Sequence, residues 1–312
     1  MEFVALLAGL AGLWLGTKAT IRGAVSVAER LGISEFVIGV VVLSIGSDLP
    51  ELAIAVDAGI KNLNSGQASD IVVGSALGST LGQIGFVLGI AGLVHHLHLP
   101  RKVVVEQGIA LLGSAILLGV VGWSGYVSRL EGWVLIATYL GYLYFIAKGA
   151  TEIPLEEEPL PGNGFGMSAF RLLIGLVIVG FSAELTVDGA TDVAETLGVE
   201  QAFVAIVIIG LGSSLPELSI SLGAAMEKRV MLSVGNLLGS NVFDTLVPIG
   251  VAAAIAGLDF KEDLLQQELV FLFVLTVVVM AFFYKHGIRK REGMFVLGFY
   301  LAYVMTELLA AK

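Results

Sequence analysis

The sequence predicts an all-α polytopic membrane protein of ten transmembrane helices, built as two inverted five-helix repeats. Three observations predict it. Hydrophobic residues make up 56% of the 312 positions and charged residues only 14%, against roughly one-quarter charged in ordinary soluble domains. Apolar stretches of about 18 residues or more recur along the whole chain, which leaves no room for a soluble domain. One heptapeptide pattern occurs twice, as Gly46-Ser47-Asp48-Leu49-Pro50-Glu51-Leu52 and Gly212-Ser213-Ser214-Leu215-Pro216-Glu217-Leu218, each time inside a long apolar run. A mean hydropathy of +0.92 agrees with the first of these.

The first span, residues 3–29, follows a start without a basic n-region and reaches Lys18 with no A-x-A-like cleavage site, so it is expected to be retained. The second, 33–60, carries the first heptapeptide. The third, 70–95, carries Gly74-Ser75-Ala76-Leu77-Gly78-Ser79-Thr80-Leu81-Gly82-Gln83. Spans at 103–123 and 127–148 complete a first repeat over 1–150. Residues 151–165 form an acidic, Pro- and Gly-rich linker that is not expected to pack. The second repeat, 166–312, holds spans at 167–195, 199–226, 230–257, 265–284 and 291–310.

Gly23, Gly32, Gly46, Pro50 and Glu51 align with Gly189, Gly198, Gly212, Pro216 and Glu217 at a constant offset of 166. After the second span the offset becomes 161, and Gly235-Asn236-Leu237-Leu238-Gly239-Ser240-Asn241-Val242-Phe243-Asp244 falls on the third-span motif. An odd number of spans per repeat inverts the second copy in the membrane. With the N-terminus outside, the cytoplasmic loops collect Arg30, Arg101, Lys102, Lys148, Lys228, Arg229, Lys285, Arg289, Lys290 and Arg291, against Lys61, Arg129, Lys261 and Lys312 outside. The positive-inside rule therefore puts both termini outside. Localisation in the cell membrane is expected.

Composition excludes several function classes. The absence of cysteine removes disulfides, thiolate metal sites and thiol nucleophiles. The net charge of −10 comes partly from the run Glu152 to Glu158 and points neither to nucleic acid nor to a polybasic lipid-binding segment. The expected partners are inorganic cations and the bilayer, with no cofactor.

Pro50 and Pro216 lack an N–H and disfavour helix geometry at the preceding residue, so each second span should break near its Gly-Ser step. Such a break is tolerated only in the bundle interior, which brings Glu51 and Glu217 toward a common centre. Neighbouring spans add Ser79, Thr80 and Gln83, and Ser240, Asn241 and Asp244, all oxygen donors. Asp48, Glu51, Glu217 and Asp244 together would cost about 10 kcal/mol or more if charged and uncompensated at mid-membrane. Cations or protons must offset this. Oxygen ligands without sulfur or imidazole suit hard ions such as Ca²⁺ and Na⁺.

Paired Gly-Ser-x-Leu-Pro-Glu-Leu and Gly-x-x-x-Gly-Ser motifs in two inverted copies resemble the cation/Ca²⁺ exchanger superfamily, most closely its prokaryotic sodium/calcium exchanger branch. The resemblance implies an antiporter, not an enzyme, in which the first and sixth spans slide across a core of the other eight. It implies Glu51 and Glu217 as central ligands, with Ser47, Ser213, Ser79, Ser240 and Asp244 around them and the carbonyls of Ser44 and Gly210 as further ligands. Asp48 stands where the pattern usually has serine, and Gln83 where it has asparagine or aspartate; these two are expected to set which ions are coupled. Ser75 and Thr80 also stand where asparagine is usual.

Other features weigh less. Lys18 and Arg22 align with Glu184 and Asp188 and are expected to be snorkelling charges rather than gating pairs. His95, His96 and His98 precede Pro100 and read as a solvated loop rather than a metal cluster. The expected function is exchange of Ca²⁺ for Na⁺ by alternating access, with Ca²⁺/H⁺ or other cation antiport as the alternative. A remote alternative is an intramembrane aspartyl protease using Asp48 and Asp244. A serine protease fails because all four histidines fall in loops, and a passive channel is disfavoured by two closed half-sites without a filter loop.

Overall fold

The computed structural model describes residues 2–65, 69–149, 164–196, 212, 214–260 and 267–310. The expected linker, Ser213, Gly210 and most of the first half of the seventh span lie outside the described residues. Helices dominate: α1 (Glu2–Leu31), α2 (Glu35–Ser47), α3 (Leu49–Ser65), α4 (Ser69–Gly82), α5 (Leu88–Val94), α6 (Arg101–Gly122), α7 (Arg129–Lys148), α8 (Phe165–Thr196), α9 (Leu215–Met226), α10 (Val230–Ala256), α11 (Leu269–Lys285) and α12 (Lys290–Ala310). Two two-residue strands, β1 (Tyr126–Val127) and β2 (Leu258–Asp259), pair antiparallel.

Six described helices are long and apolar enough to cross a bilayer, and α2 with α3 forms one further span bent by 47°. The bend lies at Asp48, one residue beyond the Gly-Ser step. Asp48 has φ −89° and ψ 7°, and its symmetry counterpart Ser214 has φ −91° and ψ 9°. The chemical cause is the same in both repeats, since the proline nitrogen two residues on cannot bond to the carbonyl of Gly46 or Gly212. A five-residue π-helical turn, Gln83–Val87, joins α4 to α5, and a second, Gly39–Leu43, lies within α2.

The inverted symmetry is visible contact by contact. Leu97 bridges Ile288, and Val127 pairs with Leu258; adding 161 to Leu97 and Val127 gives Leu258 and Ile288, so one contact recurs with its partners exchanged. Gly132 packs against the backbone of Gly250 and Ala253, and Gly293 against Gly89 and Gly92, by the same rule. Side chains at these two glycines would collide with backbone, so the helices touch only because neither has one. Ser128 N donates to Glu131 Oε2 at 2.8 Å to start α7, and Arg289 N donates to Glu292 Oε2 at 3.0 Å to start α12.

Burial separates the helices into two groups. α10 is buried almost along its whole length, against α2, α3, α4, α7 and α9. α1 and α8 instead pack along each other, Gly9 against Thr186 and Gly175 against Thr20. They turn Phe3, Leu7, Trp14, Phe170, Val177 and Phe181 outward, as lipid-facing helices do. Lys18 lies over the Trp14 ring, with its Nζ 3.8 Å from the ring centroid.

Candidate ion site

The breaks in the two motifs and the middles of α4 and α10 meet at the bundle centre. Asp48, Glu217 and Asp244 are fully buried, and Glu51 nearly so. Asp48 interacts electrostatically with Asp244 and Glu217 of the other repeat and with Glu51 of its own. Both repeats therefore contribute carboxyl groups to one centre. The buried ion pair that Arg229 Nη1 makes, 2.8 Å from Glu35 Oε1, involves none of these four carboxylates.

Hydrogen bonds cover only part of the site. Gln83 Nε2 donates to Asp244 Oδ2 at 2.9 Å and to Ser79 Oγ at 3.2 Å, while Asn241 Nδ2 donates to Gln83 Oε1 at 3.0 Å. Ser47 Oγ donates to the Ser44 carbonyl at 3.3 Å and to Asp48 Oδ1 at 3.4 Å. The Ser44 carbonyl also accepts from Asp48 N at 3.0 Å. Thr80 turns back to the Ala76 carbonyl at 2.7 Å, so its hydroxyl proton serves its own helix.

What is left over is oxygen. Asp48 Oδ2, Glu51 Oε2, both carboxylate oxygens of Glu217, Asp244 Oδ1, Ser214 Oγ, Ser240 Oγ and Asn241 Oδ1 are buried without a hydrogen-bond partner. Buried polar groups seldom stay unpaired, each costing about 1–3 kcal/mol and more when charged. These oxygens come from both repeats, and oxygen is the donor type that hard cations take. Among the described residues no three His, Asp or Glu side chains already converge closely enough to hold one metal ion.

The two sides of this centre are packed differently. On one, α1 lies over α9: Thr17 and Ser219 hydroxyls hydrogen-bond, and Gly223 sits beneath Thr17 and Ile21. On the other, the equivalent face of α3 is open. Ile54 is 42% exposed, whereas its counterpart Ile220 is 0% exposed. Beyond Ile54 the open face carries an exposed Asp57–Lys61 ion pair of 2.5 Å. Glu51 borders a small crevice with Ile54, Val72, Ser75 and Pro248 on that side.

Residues 1–148 and 167–309 match the model of the family described as sodium/calcium exchanger protein. The chain belongs to that family. It is 30% identical over 296 residues to an uncharacterized membrane protein of Methanocaldococcus jannaschii, covering 95% of this chain and 94% of the relative. It is 26% identical over 353 residues to the sodium/calcium exchanger MaX1 of Methanosarcina acetivorans, covering 98% of each. Among solved structures, the sodium-calcium exchanger NCX_Mj soaked with 10 mM Na⁺ and zero Ca²⁺ superposes with a TM-score of 0.84 at 27% identity, covering 98% of each chain.

Of the residues singled out in the sequence of this family member, Ser44, Ser47, Asp48, Glu51, Ser79, Gln83, Glu217, Ser240 and Asp244 are all buried. Ser213 and Gly210 lie outside the described residues. His96 Nε2 lies 2.7 Å from the His286 carbonyl, beside the Leu97–Ile288 bridge and away from the carboxylates. Sequence reasoning missed Tyr139, whose buried hydroxyl lacks a partner and whose ring meets Phe243 edge-on at 5.4 Å. Tyr139 acts electrostatically with Asp48 and Asp244. Its one mark in the sequence is Tyr300, 161 residues on in the equivalent place of the tenth span, and a matched pair of tyrosines without a motif does not point to a centre.

Proposed function

We propose that this protein exchanges Ca²⁺ for Na⁺ across a membrane by alternating access to one central site. The observation that carries the reading is the set of unpartnered buried oxygens contributed by both repeats. Glu51 and Glu217 supply the central carboxylates. Asp48, Asp244, Ser47, Ser213, Ser79, Ser240 and Gln83, with the Ser44 and Gly210 carbonyls, complete the ligand set for Ca²⁺ or Na⁺ as alternative cargoes. Calcium takes about six to eight oxygens, more than four carboxylates would bring one apiece, which gives the hydroxyl, amide and carbonyl groups a role. No cofactor is needed, because charge compensation and ion gradients do the work.

Inverted repeats explain the access. Covering α9 with α1 and leaving α3 open is one of two arrangements related by the internal symmetry. Exchanging the conformations of the two repeats would cover α3 with α8 and open α9. We place both termini outside and the protein in the cell membrane, on the loop charges.

Asp48 favours one second reading, Ca²⁺/H⁺ antiport, because it adds a buried carboxylate where the opposite repeat has Ser214. The test is radiolabelled Ca²⁺ uptake into proteoliposomes under an outward Na⁺ gradient and, separately, under an outward H⁺ gradient without Na⁺. Uptake driven by Na⁺ alone supports the first reading, and uptake driven by H⁺ alone the second. Uptake under neither overturns both. Loss of uptake in Glu51→Gln and Glu217→Gln excludes the aspartyl protease.

A further inference from the structure

The small crevice beside Glu51 has a counterpart that this arrangement keeps shut. Besides Glu51, its lining includes Ala55, Val72 and Ser75. The repeat offsets map these four residues onto Glu217, Ser221, Ser233 and Asn236. The positions are equivalent, but the chemistry is not. Beyond its carboxylate the α3 side offers one hydroxyl, whereas the α9 side offers two hydroxyls and an amide.

The α9 set is already organised. Asn236 Nδ2 donates to Ser221 Oγ at 2.9 Å, and Ser233 Oγ donates to the Ser221 carbonyl at 2.7 Å. The first of these bonds orients the amide and leaves Asn236 Oδ1 buried without a hydrogen-bond partner. A buried acceptor in that condition is costly and calls for an explanation. Its counterpart Ser75 is only half-buried.

Helix spacing carries these groups outward from the centre. On α10, Asp244, Ser240 and Asn236 follow one another at four-residue intervals, with Ser233 three residues further, so all four share one face. All four are fully buried. Ser221 lies one turn beyond Glu217 on α9, also toward the turn that joins α9 to α10. In the other repeat the same face runs Gln83, Ser79, Ser75 and then ends on Val72, with Ala55 in the place of Ser221.

We propose that Ser221, Ser233 and Asn236 extend the ion site by one helical turn on the cytoplasmic side only. They form a cation subsite that takes Ca²⁺ or Na⁺ between Glu217 and Asn236 Oδ1 once the α9 face opens. In the arrangement described, α1 covers that face and no ion reaches Asn236; its oxygen is a ligand held for the other arrangement. The subsite rests on the alternating-access reading and on the orientation given with it.

The test is radiolabelled Ca²⁺ uptake into Na⁺-loaded membrane vesicles from a bacterial host making the full-length protein. Everted vesicles present the cytoplasmic face to added Ca²⁺, and right-side-out vesicles present the outer face. Asn236→Ser and Ser233→Val give the α9 side the residues of the α3 side. Each is expected to raise the KM for Ca²⁺ about three- to tenfold in everted vesicles, the worth of one polar contact, and to leave it unchanged in right-side-out vesicles. Asn236→Asp keeps an oxygen at the position and is expected to spare the everted KM. Should Asn236→Ser fail to reach the membrane, Ser233→Val carries the same comparison. An unchanged everted KM overturns the subsite, as does an equal rise in both vesicle types. Opposite shifts in the two types also overturn it, because they report a changed balance between the two arrangements. A rise with Asn236→Asp equal to that with Asn236→Ser assigns the residue to packing. Absence of uptake by the wild type in both vesicle types overturns the exchange reading itself, and the subsite with it.

Discussion

Gln83 and Asp244, equivalent positions of the two repeats, are hydrogen-bonded to each other across the bundle, Nε2 to Oδ2 at 2.9 Å. The internal two-fold axis therefore passes close to this bond. An amide faces a carboxylate where perfect symmetry would bring two like residues together. Gln83 also accepts from Asn241, so one side chain ties the third span to the eighth at two points.

Replacing Gln83 by leucine leaves Asp244 Oδ2 and Asn241 Nδ2 short of partners. The expected cost is about 1–3 kcal/mol of stability, read as a lowered thermal midpoint in detergent. Ca²⁺ should restore part of the loss by recruiting the freed carboxylate. Gln83→Asn, one methylene shorter, is expected to lose the bond to Asp244 and to change the ratio of KM for Ca²⁺ to KM for Na⁺. An unchanged ratio would argue that Asp244 does not touch the ions.

Neither carboxylate oxygen of Glu217 has a hydrogen-bond partner. Glu217→Gln is expected to raise the thermal midpoint of the ion-free protein, since it removes charge from a low-dielectric interior. The same variant should lose Ca²⁺-induced stabilisation and at least about 100-fold in uptake, close to 3 kcal/mol of binding. A midpoint that rises with Ca²⁺ as in the wild type would remove Glu217 from the ligand set.

Asp48 breaks the symmetry of charge, because its counterpart is Ser214. Asp48→Ser makes the two motifs alike and removes one formal negative charge from the centre. One fewer positive charge should then be carried by the loaded site. The reversal potential of Ca²⁺ flux, measured in proteoliposomes against set Na⁺ gradients, is expected to shift. Identical reversal potentials would assign Asp48 to packing.

Thr17 and Ser219 hold α1 on α9 through a hydrogen bond that the other side cannot copy, since the equivalent residues are Ala183 and Ala53. The closed cover over α9 is thereby favoured. Thr17→Val should weaken it by about 1 kcal/mol, roughly fivefold in population, while Thr17→Ser should not. Because the chain has no cysteine, single cysteines at Ile54 and Ile220 report each face directly. The wild type should label at position 54 and not at 220, and Thr17→Val should increase labelling at 220. Labelling unaffected by Thr17→Val would show that the cover does not depend on this bond.

Much of the arrangement could be read from the chain because gene-scale repetition leaves residue-scale marks. Pro50 with Glu51 and Pro216 with Glu217 announce broken helices and their carboxylates without any three-dimensional information. The break itself lies one residue beyond the Gly-Ser step, at Asp48 and Ser214, inside the turn whose closing bond, from the proline nitrogen to the carbonyl of Gly46 or Gly212, is missing. Tyr139 was not legible as part of the centre, since a tyrosine in an apolar span has no motif around it. Its place follows from α7 packing on α10.

From its sequence alone this protein has its helical class, its repeat with a calculable offset, and the identity of the oxygen-bearing residues that must be buried. Those follow from local chemistry: apolar length, proline geometry and the cost of charge in hydrocarbon. Only the tertiary structure decided that Gln83 meets Asp244 and that Ile54 is open while Ile220 is closed. These depend on which of two symmetry-related packings the helices adopt and on contacts between residues more than a hundred positions apart. An alignment offset identifies equivalent residues, but it carries no term for the faces they turn to one another.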